Sequence, residues 1–135
     1  MSLVLDSSAA LSWLFEDEAN ERSAAILDIV VQTGAIVPSL WRYEIGNALE
    51  MAVRRNRMST TYREQSLARL EQLGIHVDTV ADQLIWSTTV PLASRTGLTV
   101  YDASYLELAL RLQLPLATLD AQLRRAAVSE GLDVI

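Results

Sequence analysis

The chain has 135 residues, half of them hydrophobic, which is enough for one domain with a sizeable core and too few for two ordinary domains. It contains no cysteine and no lysine, so disulfide bonds, thiolate metal ligands and any mechanism that needs a lysine are excluded. A formal net charge of −6 argues against a broadly basic nucleic-acid-binding surface, unless several of the acids share one metal site.

The first part of the chain alternates short apolar segments with helical patterns. The sequence predicts, in order, a buried strand at 3–5, a helix at 7–15, an amphipathic helix at 18–33 and a second strand at 35–37. Ser39 is expected to cap a long helix that runs through Arg55.

The same alternation continues to the end of the chain. The predicted elements are a helix at 59–73, a strand at 75–77, a helical segment at 81–97 interrupted near Pro91, a helix at 102–113, a strand at 115–119, a helix at 121–131 and a last strand at 133–135. Alternating strands and helices predict one α/β domain over 1–135, with a central parallel sheet covered by helices on both faces.

Nothing in the sequence indicates export or insertion into a membrane. The N-terminus lacks a basic segment, and its apolar run is broken at Asp6. The most apolar interval, 24–40, carries Asp28 and Gln32 and falls short of a membrane span. We therefore expect a cytoplasmic protein.

The helix predicted over 39–55 has an acidic residue on its apolar face. The apolar positions follow amphipathic-helix spacing at Trp41, Ile45, Ala48, Leu49 and Ala52. Glu44 lies at a position in this stripe where another apolar residue is expected. Its carboxylate either extends to water from the edge of the stripe or has a role inside the protein.

Four acidic residues from distant parts of the chain are predicted to meet at one edge of the sheet. Asp6 directly follows the first strand, and Asp120 directly follows the strand at 115–119. Asp102 begins a helix on its inward side, and Glu44 lies early in the helix after the second strand. Ligands of open parallel sheets bind at the carboxyl ends of the strands. For each aspartate alone, a helix cap is the more common role.

Electrostatics favours a cation if these acids converge. Two carboxylates about 4 Å apart repel by about 1 kcal/mol in water and by about 4 kcal/mol at an effective dielectric constant of 20. Oxygen ligands without cysteine, in a chain with one histidine, favour Mg²⁺ or Mn²⁺ over Zn²⁺.

Four segments that contain these acids resemble the PIN-domain nucleases, and more narrowly the VapC-type toxins of toxin–antitoxin pairs. They are VLDSSAAL (4–11), PSLWRYEIGNAL (38–49), YDASYLELAL (101–110) and LATLDAQLRRAA (116–127). The resemblance implies a PIN-like sheet of strand order 3-2-1-4-5. It also implies metal-dependent endoribonuclease activity on RNA, inhibition by a cognate antitoxin protein, and a homodimer that can enter larger toxin–antitoxin assemblies.

The resemblance also implies a role for each acid. Asp6 and Asp102 look like principal metal ligands, and Asp120 resembles a third ligand that binds directly or through water. Glu44 resembles the acid that positions the attacking water. The expected cofactor is Mg²⁺, with Mn²⁺ as a substitute.

Other residues are expected to support this site or to bind partners. Thr118 matches a hydroxyl position found near the metal in the family, and Asn47 is placed to hydrogen-bond Glu44 or a phosphate. The helices predicted at 7–15, 18–33 and 39–55 are candidates for the antitoxin groove and the self-association face. The residues that contact RNA are not identified by the sequence.

Several alternatives remain open. The chain could be a non-catalytic PIN-fold module that binds a metal or a basic peptide, or a housekeeping RNA-processing PIN nuclease. Receiver domains and haloacid-dehalogenase-type phosphatases also place an aspartate after the first strand. Both normally need a lysine, and the phosphatase's Asp-x-Asp pattern is absent because Ser8 stands at its second position.

Overall fold

A computed structural model describes residues 3–135 and contains a four-stranded parallel sheet within that range. Its strands are β1 (Val4–Leu5), β2 (Ala35–Val37), β3 (Ile75–Val77) and β4 (Leu116–Ala117), in the spatial order β3-β2-β1-β4. Val4 pairs with Ile36 on one side and with Leu116 on the other, so β1 lies in the middle of the sheet. β1 and β2 are buried and consist of apolar residues, as expected for inner strands of a parallel sheet.

The fifth strand expected at 133–135 is reduced to a single bridge. Val134 pairs with Leu116 in parallel orientation, on the outer side of β4. The first four strands therefore follow the predicted order 3-2-1-4-5, and Val134 alone represents the fifth strand.

Helices fill the connections between the strands. They are α1 (Ser7–Ser12), α2 (Glu21–Thr33), α3 (Leu40–Arg54), α4 (Thr60–Gln72), α5 (Val90–Thr96), α6 (Val100–Leu112) and α7 (Ala121–Ser129). Short 3₁₀ turns lie at Glu16–Glu18 and Ala81–Leu84. The chain moves outward from β1 to β3 and then returns to β4 on the other side of β1. Right-handed crossovers with this reversal place helices on both faces of the sheet. Between residues 3 and 135, no helix combines the length and apolarity that crossing a bilayer requires.

Local side-chain contacts set most of the helix starts. Asn20 and Ser23 form a reciprocal capping box at the start of α2, and the Ser59 hydroxyl accepts from the Tyr62 amide at the start of α4. The α2 cap explains why this helix begins at Glu21 and not at residue 18 as predicted. The first helix also ends three residues early, because the chain tightens into 3₁₀-type turns in which Leu14 N donates to Leu11 O.

Ser39 precedes α3 as predicted, but the prediction that it caps the helix is wrong. Its backbone is helical and its side chain makes no capping hydrogen bond. The hydroxyl instead donates to Asp82 Oδ1 at 2.7 Å, across to the segment that follows β3. A distant partner therefore replaces the local one that the sequence pattern indicates.

The helical segment predicted at 81–97 is interrupted as expected. The interruption lies just before Pro91 and is an irregular helical turn rather than a break at the proline. A π-helical turn at Ile85–Thr89 joins the 3₁₀ turn to α5, and Pro91 lies within the first turn of α5. Proline is tolerated there because the amides of a first helical turn have no partner within the helix. The irregular π-helical turn therefore ends before Pro91.

Gly34→Ala is expected to lower the free energy of unfolding by about 2 kcal/mol or more. Gly34 links α2 to β2 at φ 76° and ψ −176°, a region that is essentially restricted to glycine. A Cβ at this position would lie 2.6 Å from the backbone oxygen of Gly74. Gly46→Ala is the matched control, because a Cβ there meets nothing within 4 Å. Alanine is favoured over glycine inside a helix, so this variant should raise the free energy of unfolding by about 0.5–1 kcal/mol. Urea unfolding of both variants checks the prediction, and equal effects would contradict it.

Candidate active site

The four acids lie around the carboxyl edge of the sheet. Asp6 directly follows β1, and Asp120 precedes α7 just after β4. The order of the strands reverses between β1 and β4, and clefts at such reversals are the usual ligand sites of open parallel sheets. Glu44 lies in the second turn of α3, and Asp102 lies in the first turn of α6. Their charges act on one another, since Asp6, Asp120 and Glu44 all raise the pKa of Asp102.

Asp6 is the most buried of the four, with 3% of its surface exposed. Its Oδ2 atom accepts hydrogen bonds from the Ser8 hydroxyl at 2.6 Å and the Thr118 hydroxyl at 2.7 Å. Thr118 Oγ1 also accepts from the Asp120 amide at 3.0 Å and thereby connects the ends of β1 and β4. Burial raises the pKa of Asp6, while the two hydroxyls act in the opposite direction.

Glu44 faces inward because two hydroxyl groups bind it. Its Oε1 atom accepts from Ser7 Oγ at 3.1 Å and from the hydroxyl of Tyr105. Trp41, Ile45 and Leu49 are buried around it on the same face of α3. Burial raises the pKa of Glu44, the two hydroxyls lower it, and the charge of Asp6 raises it further. The carboxylate in the apolar stripe is therefore part of the acidic site.

Asp102 belongs to α6 but does not cap it. Thr99 occupies the capping position, and its hydroxyl accepts from the Asp102 amide at 3.1 Å. The helix therefore begins two residues before the predicted start, and Asp102 lies inside its first turn. Its carboxylate accepts no hydrogen bond from any other described residue. Partial burial, followed by the charges of Asp6, Asp120 and Glu44, raises the pKa of Asp102 from 3.8 to about 6.

Asp120 does cap a helix. Its Oδ1 atom accepts from the amides of Gln122 at 2.8 Å and Leu123 at 2.9 Å, which are the first free amides of α7. Its other oxygen, Oδ2, accepts no hydrogen bond within residues 3–135. Both of the alternatives weighed for this residue are therefore compatible with the structure, because capping uses only one carboxylate oxygen.

A fifth strand-end acid shows how an aspartate is neutralised elsewhere in the protein. Asp78 follows β3, and its Oδ2 atom accepts from Arg111 at 2.8 Å and from the Ala81 amide at 2.7 Å. Burial acts to raise the pKa of Asp78, but these hydrogen bonds and the arginine charge lower it overall. By contrast, none of the four site acids forms an ion pair with an arginine in the described chain.

The donor set has the chemistry that a hard divalent cation requires. All four side chains offer carboxylate oxygens, and their negative charges are not balanced by the protein. However, no group of three or more acidic or histidine side chains in residues 3–135 is arranged so that it could hold a metal ion. The residues therefore fit Mg²⁺ or Mn²⁺ by donor type, and as placed they do not form a coordination shell.

Of the two predicted supporting residues, Thr118 forms a hydrogen bond with an acid of the site and Asn47 does not, among the described residues. Thr118 is completely buried against Asp6, in line with its predicted position near the acids. Asn47 is exposed and forms no hydrogen bond with Glu44 among the described residues. Of the two alternatives for Asn47, the hydrogen bond to Glu44 is not formed among the described residues, and contact with a phosphate stays a prediction.

Tyr105 was not predicted from the sequence, and Ser7 and Ser8 stand at a helix start, where serine is typical of a cap. Both serines instead donate to the acids. Tyr105 lies one helical turn after Asp102, and this i+3 spacing is the signal that could have placed it on the same face of α6. Arg22 was also missed, and its guanidinium donates to the Thr118 carbonyl at 2.9 Å behind the site.

Asp102→Asn is expected to stabilise the metal-free protein by about 1 kcal/mol at neutral pH. The folded state holds a proton on Asp102 more tightly than the unfolded state does, because its folded pKa is about 6 and its ordinary value is 3.8. Stability therefore falls as the pH rises through about 6. The stabilisation is smaller than the full rise in pKa would give, because solvent screens this half-buried carboxylate.

The advantage of the variant should be largest near about pH 8 and should become small near about pH 4, where Asp102 of the folded wild type is protonated and uncharged. Thermal unfolding in a chelator across this range is the measurement. Asp28→Asn, an exposed change on α2, is the control and should show no such trend. A difference between Asp102→Asn and wild type that does not vary with pH would contradict the prediction.

The fold and the site define an α/β protein with an acidic site at the carboxyl edge of a parallel sheet. The sequence matches the PIN domain family over residues 3–129, so the chain belongs to that family. PIN domains are in general nucleases. The predicted α/β PIN fold is thereby confirmed, with the shortened fifth strand as the one difference in the sheet.

Three solved structures share this fold. PAE2754 from Pyrobaculum aerophilum has a TM-score of 0.66 at 22% identity, covering 99% of this chain and 89% of that one. FitAcB from Neisseria gonorrhoeae has a TM-score of 0.66 at 19% identity, with coverages of 98% and 96%. VapBC2 from Rickettsia felis, bound to a DNA fragment from its promoter, has a TM-score of 0.69 at 10% identity, with coverages of 100% and 98%. A comparison with curated protein sequences finds no significant match.

Proposed function

We propose that this protein is a metal-dependent endoribonuclease of the VapC toxin type, which hydrolyses RNA phosphodiester bonds. The proposal rests on the acidic rim, which is our name for the carboxylates of Asp6, Glu44, Asp102 and Asp120. These four groups come from separate parts of the chain, their charges act on one another, and none has an arginine partner among the described residues. Such a cluster costs stability unless a cation binds, so its presence in a nuclease family favours a catalytic use.

Asp6, Asp102 and Asp120 are the residues that would hold Mg²⁺, or Mn²⁺ in its place. Each has a carboxylate oxygen that no other side chain of the described residues engages, although the Ser7 amide also donates to the Asp6 carboxylate. The chemistry that such a cation supplies when bound is activation of water and neutralisation of phosphate charge.

Glu44 is proposed to receive a hydrogen bond, and then a proton, from the attacking water. Its Oε1 atom is occupied by Ser7 and Tyr105, which leaves Oε2 available. Burial raises the pKa of Glu44, and a carboxylate with a raised pKa is a stronger base near neutral pH. Ser8 and Thr118 hold Asp6 in place through its Oδ2 atom.

We further propose that a cognate antitoxin protein inhibits the activity and that the protein self-associates. The VapC-like sequence and the fold shared with FitAcB and VapBC2 support an antitoxin partner. A basic side chain inserted by such a partner would complement the acidic rim. Exposed aromatic residues support self-association. Tyr43 and Tyr101 line one apolar cavity, and Trp86, which follows the lining residue Ile85 in the chain, is itself exposed.

Incubation of the purified protein with mixed cellular RNA and with synthetic single strands tests the proposed activity. Cleavage is expected with Mn²⁺ or Mg²⁺ and should disappear with EDTA. Asp6→Asn protein, purified in parallel, controls for contaminating ribonuclease. Equal cleavage by this variant would show that the activity does not depend on the acidic site and would contradict the proposal. No cleavage under any metal condition would favour the non-catalytic binding module.

A further inference from the structure

Three elements meet at one oxygen of Glu44. Ser7 lies at the start of α1, Tyr105 lies in the middle of α6, and both donate to the same Oε1 atom from sequence separations of 37 and 61 residues. Tyr105 is completely buried and Ser7 is 9% exposed, so neither donor exchanges freely with water. Within residues 3–135, Oε2 accepts no hydrogen bond. The carboxylate is therefore held by one oxygen only.

The two donors bind the ionised form of Glu44 better than the neutral form. A hydroxyl that donates to a carboxylate forms a charge-assisted hydrogen bond, which is stronger than the same bond to a neutral acid. Tyr105 itself stays protonated, because burial and the nearby carboxylate raise its pKa. Asp6 acts in the opposite sense, since its negative charge disfavours ionisation of Glu44.

We propose that Tyr105 and Ser7 are positioning residues that fix Glu44 Oε1 and thereby direct Oε2 at the attacking water. The role in water attack rests on the function proposed above. The pair of hydrogen bonds from Ser7 and Tyr105 to Oε1, which we call the clamp, is a property of the folded protein alone. Both residues act through Glu44 and do not contact the reacting atoms.

The first experiment needs neither metal nor RNA. The pKa of Glu44 is measured by carbon NMR in the metal-free protein for wild type, Tyr105→Phe and Ser7→Ala. Loss of a hydrogen bond to a charged group should raise the pKa of Glu44 by about 1 to 2 in Tyr105→Phe. Ser7→Ala should raise it as well, by less, because its contact is longer. An unchanged pKa in both variants would overturn the proposal.

Tyr62→Phe is the matched control for this experiment. Its hydroxyl donates to the Leu14 carbonyl at 2.9 Å, so the substitution removes the same group and one hydrogen bond away from the acids. It should leave the pKa of Glu44 unchanged. A comparable rise in this control would show that the effect is a general loss of packing and would also overturn the proposal.

The second experiment measures RNA cleavage under steady-state conditions, with RNA in excess over the protein. Tyr105→Phe should lower kcat by about 10- to 100-fold with little change in KM, the size of effect typical of residues that orient a functional group. In a Glu44→Gln background the same substitution should have no further effect. Wild-type kcat in Tyr105→Phe, or an equal loss in both backgrounds, would overturn the positioning role.

The two experiments separate the two proposals. If wild type cleaves no RNA while the pKa of Glu44 rises in Tyr105→Phe, the clamp stands and the nuclease assignment fails. If RNA is cleaved and the pKa does not move, the nuclease assignment stands and the clamp fails.

Discussion

Asp6→Asn and Asp102→Asn should each reduce RNA cleavage by about 100-fold or more and leave the fold intact. The loss is large because a carboxylate that holds a metal supports several kcal/mol of transition-state charge stabilisation, and each 1.36 kcal/mol is about tenfold in rate. An asparagine keeps an oxygen that can accept the hydrogen bonds of Ser8 and Thr118 at position 6. At position 102 it removes only a repelled charge.

The measurement is single-turnover cleavage of a labelled RNA, together with thermal unfolding of each variant. Asp28→Asn is the control, because it removes one exposed carboxylate from α2 and should cleave at the wild-type rate. Asp102→Asn should melt at or above the wild-type temperature in the absence of metal. Wild-type turnover in either site variant would refute the assigned metal-ligand roles.

Mn²⁺ or Mg²⁺ should raise the free energy of unfolding by about 2.7 kcal/mol when its free concentration is 100 times its dissociation constant. The reason is that only the folded state brings the four acids together, so the cation binds the folded state and relieves its internal repulsion. The raised pKa of Asp102 is a direct expression of that repulsion.

Thermal melts in a metal titration, with a chelator as reference, measure this stabilisation. In Asp102→Asn protein the metal-dependent increase should be largely lost, although the metal-free protein is no less stable. Asp28→Asn should keep the full increase. Identical melting with metal and with chelator in wild type would count against a cation site at these residues.

Local patterns were sufficient for much of the fold. The apolar runs that became β1, β2 and β3 were predicted within one residue, because a buried strand and a turn have compositions that neighbouring residues reveal. The helix predicted at 59–73 likewise begins next to its predicted first residue, because Ser59 caps α4. The strand order, by contrast, came from the resemblance to PIN domains, since no local pattern encodes which strands become neighbours.

The failures have different causes. Ser39 binds Asp82 in place of its own helix, so a partner far along the chain outweighed the local preference. The start of α6 was missed because a local cap at Thr99 was overlooked, which places Asp102 inside the first turn. The π-helical turn at Ile85–Thr89 has no simple sequence signal.

The sequence by itself determined that Asp6 and Asp120 stand at strand ends and that Glu44 lies on an inward helix face, since strand ends and helix faces follow from residue spacing. Only the tertiary structure decided that Ser7 and Tyr105 bind Glu44, that Thr118 joins Asp6 to Asp120, and that Arg111 neutralises Asp78 but no arginine neutralises the four acids. Hydrogen bonds and charge interactions depend on distances of a few ångströms. Those distances are set by how the helices pack on the sheet, which spacing along the chain does not specify.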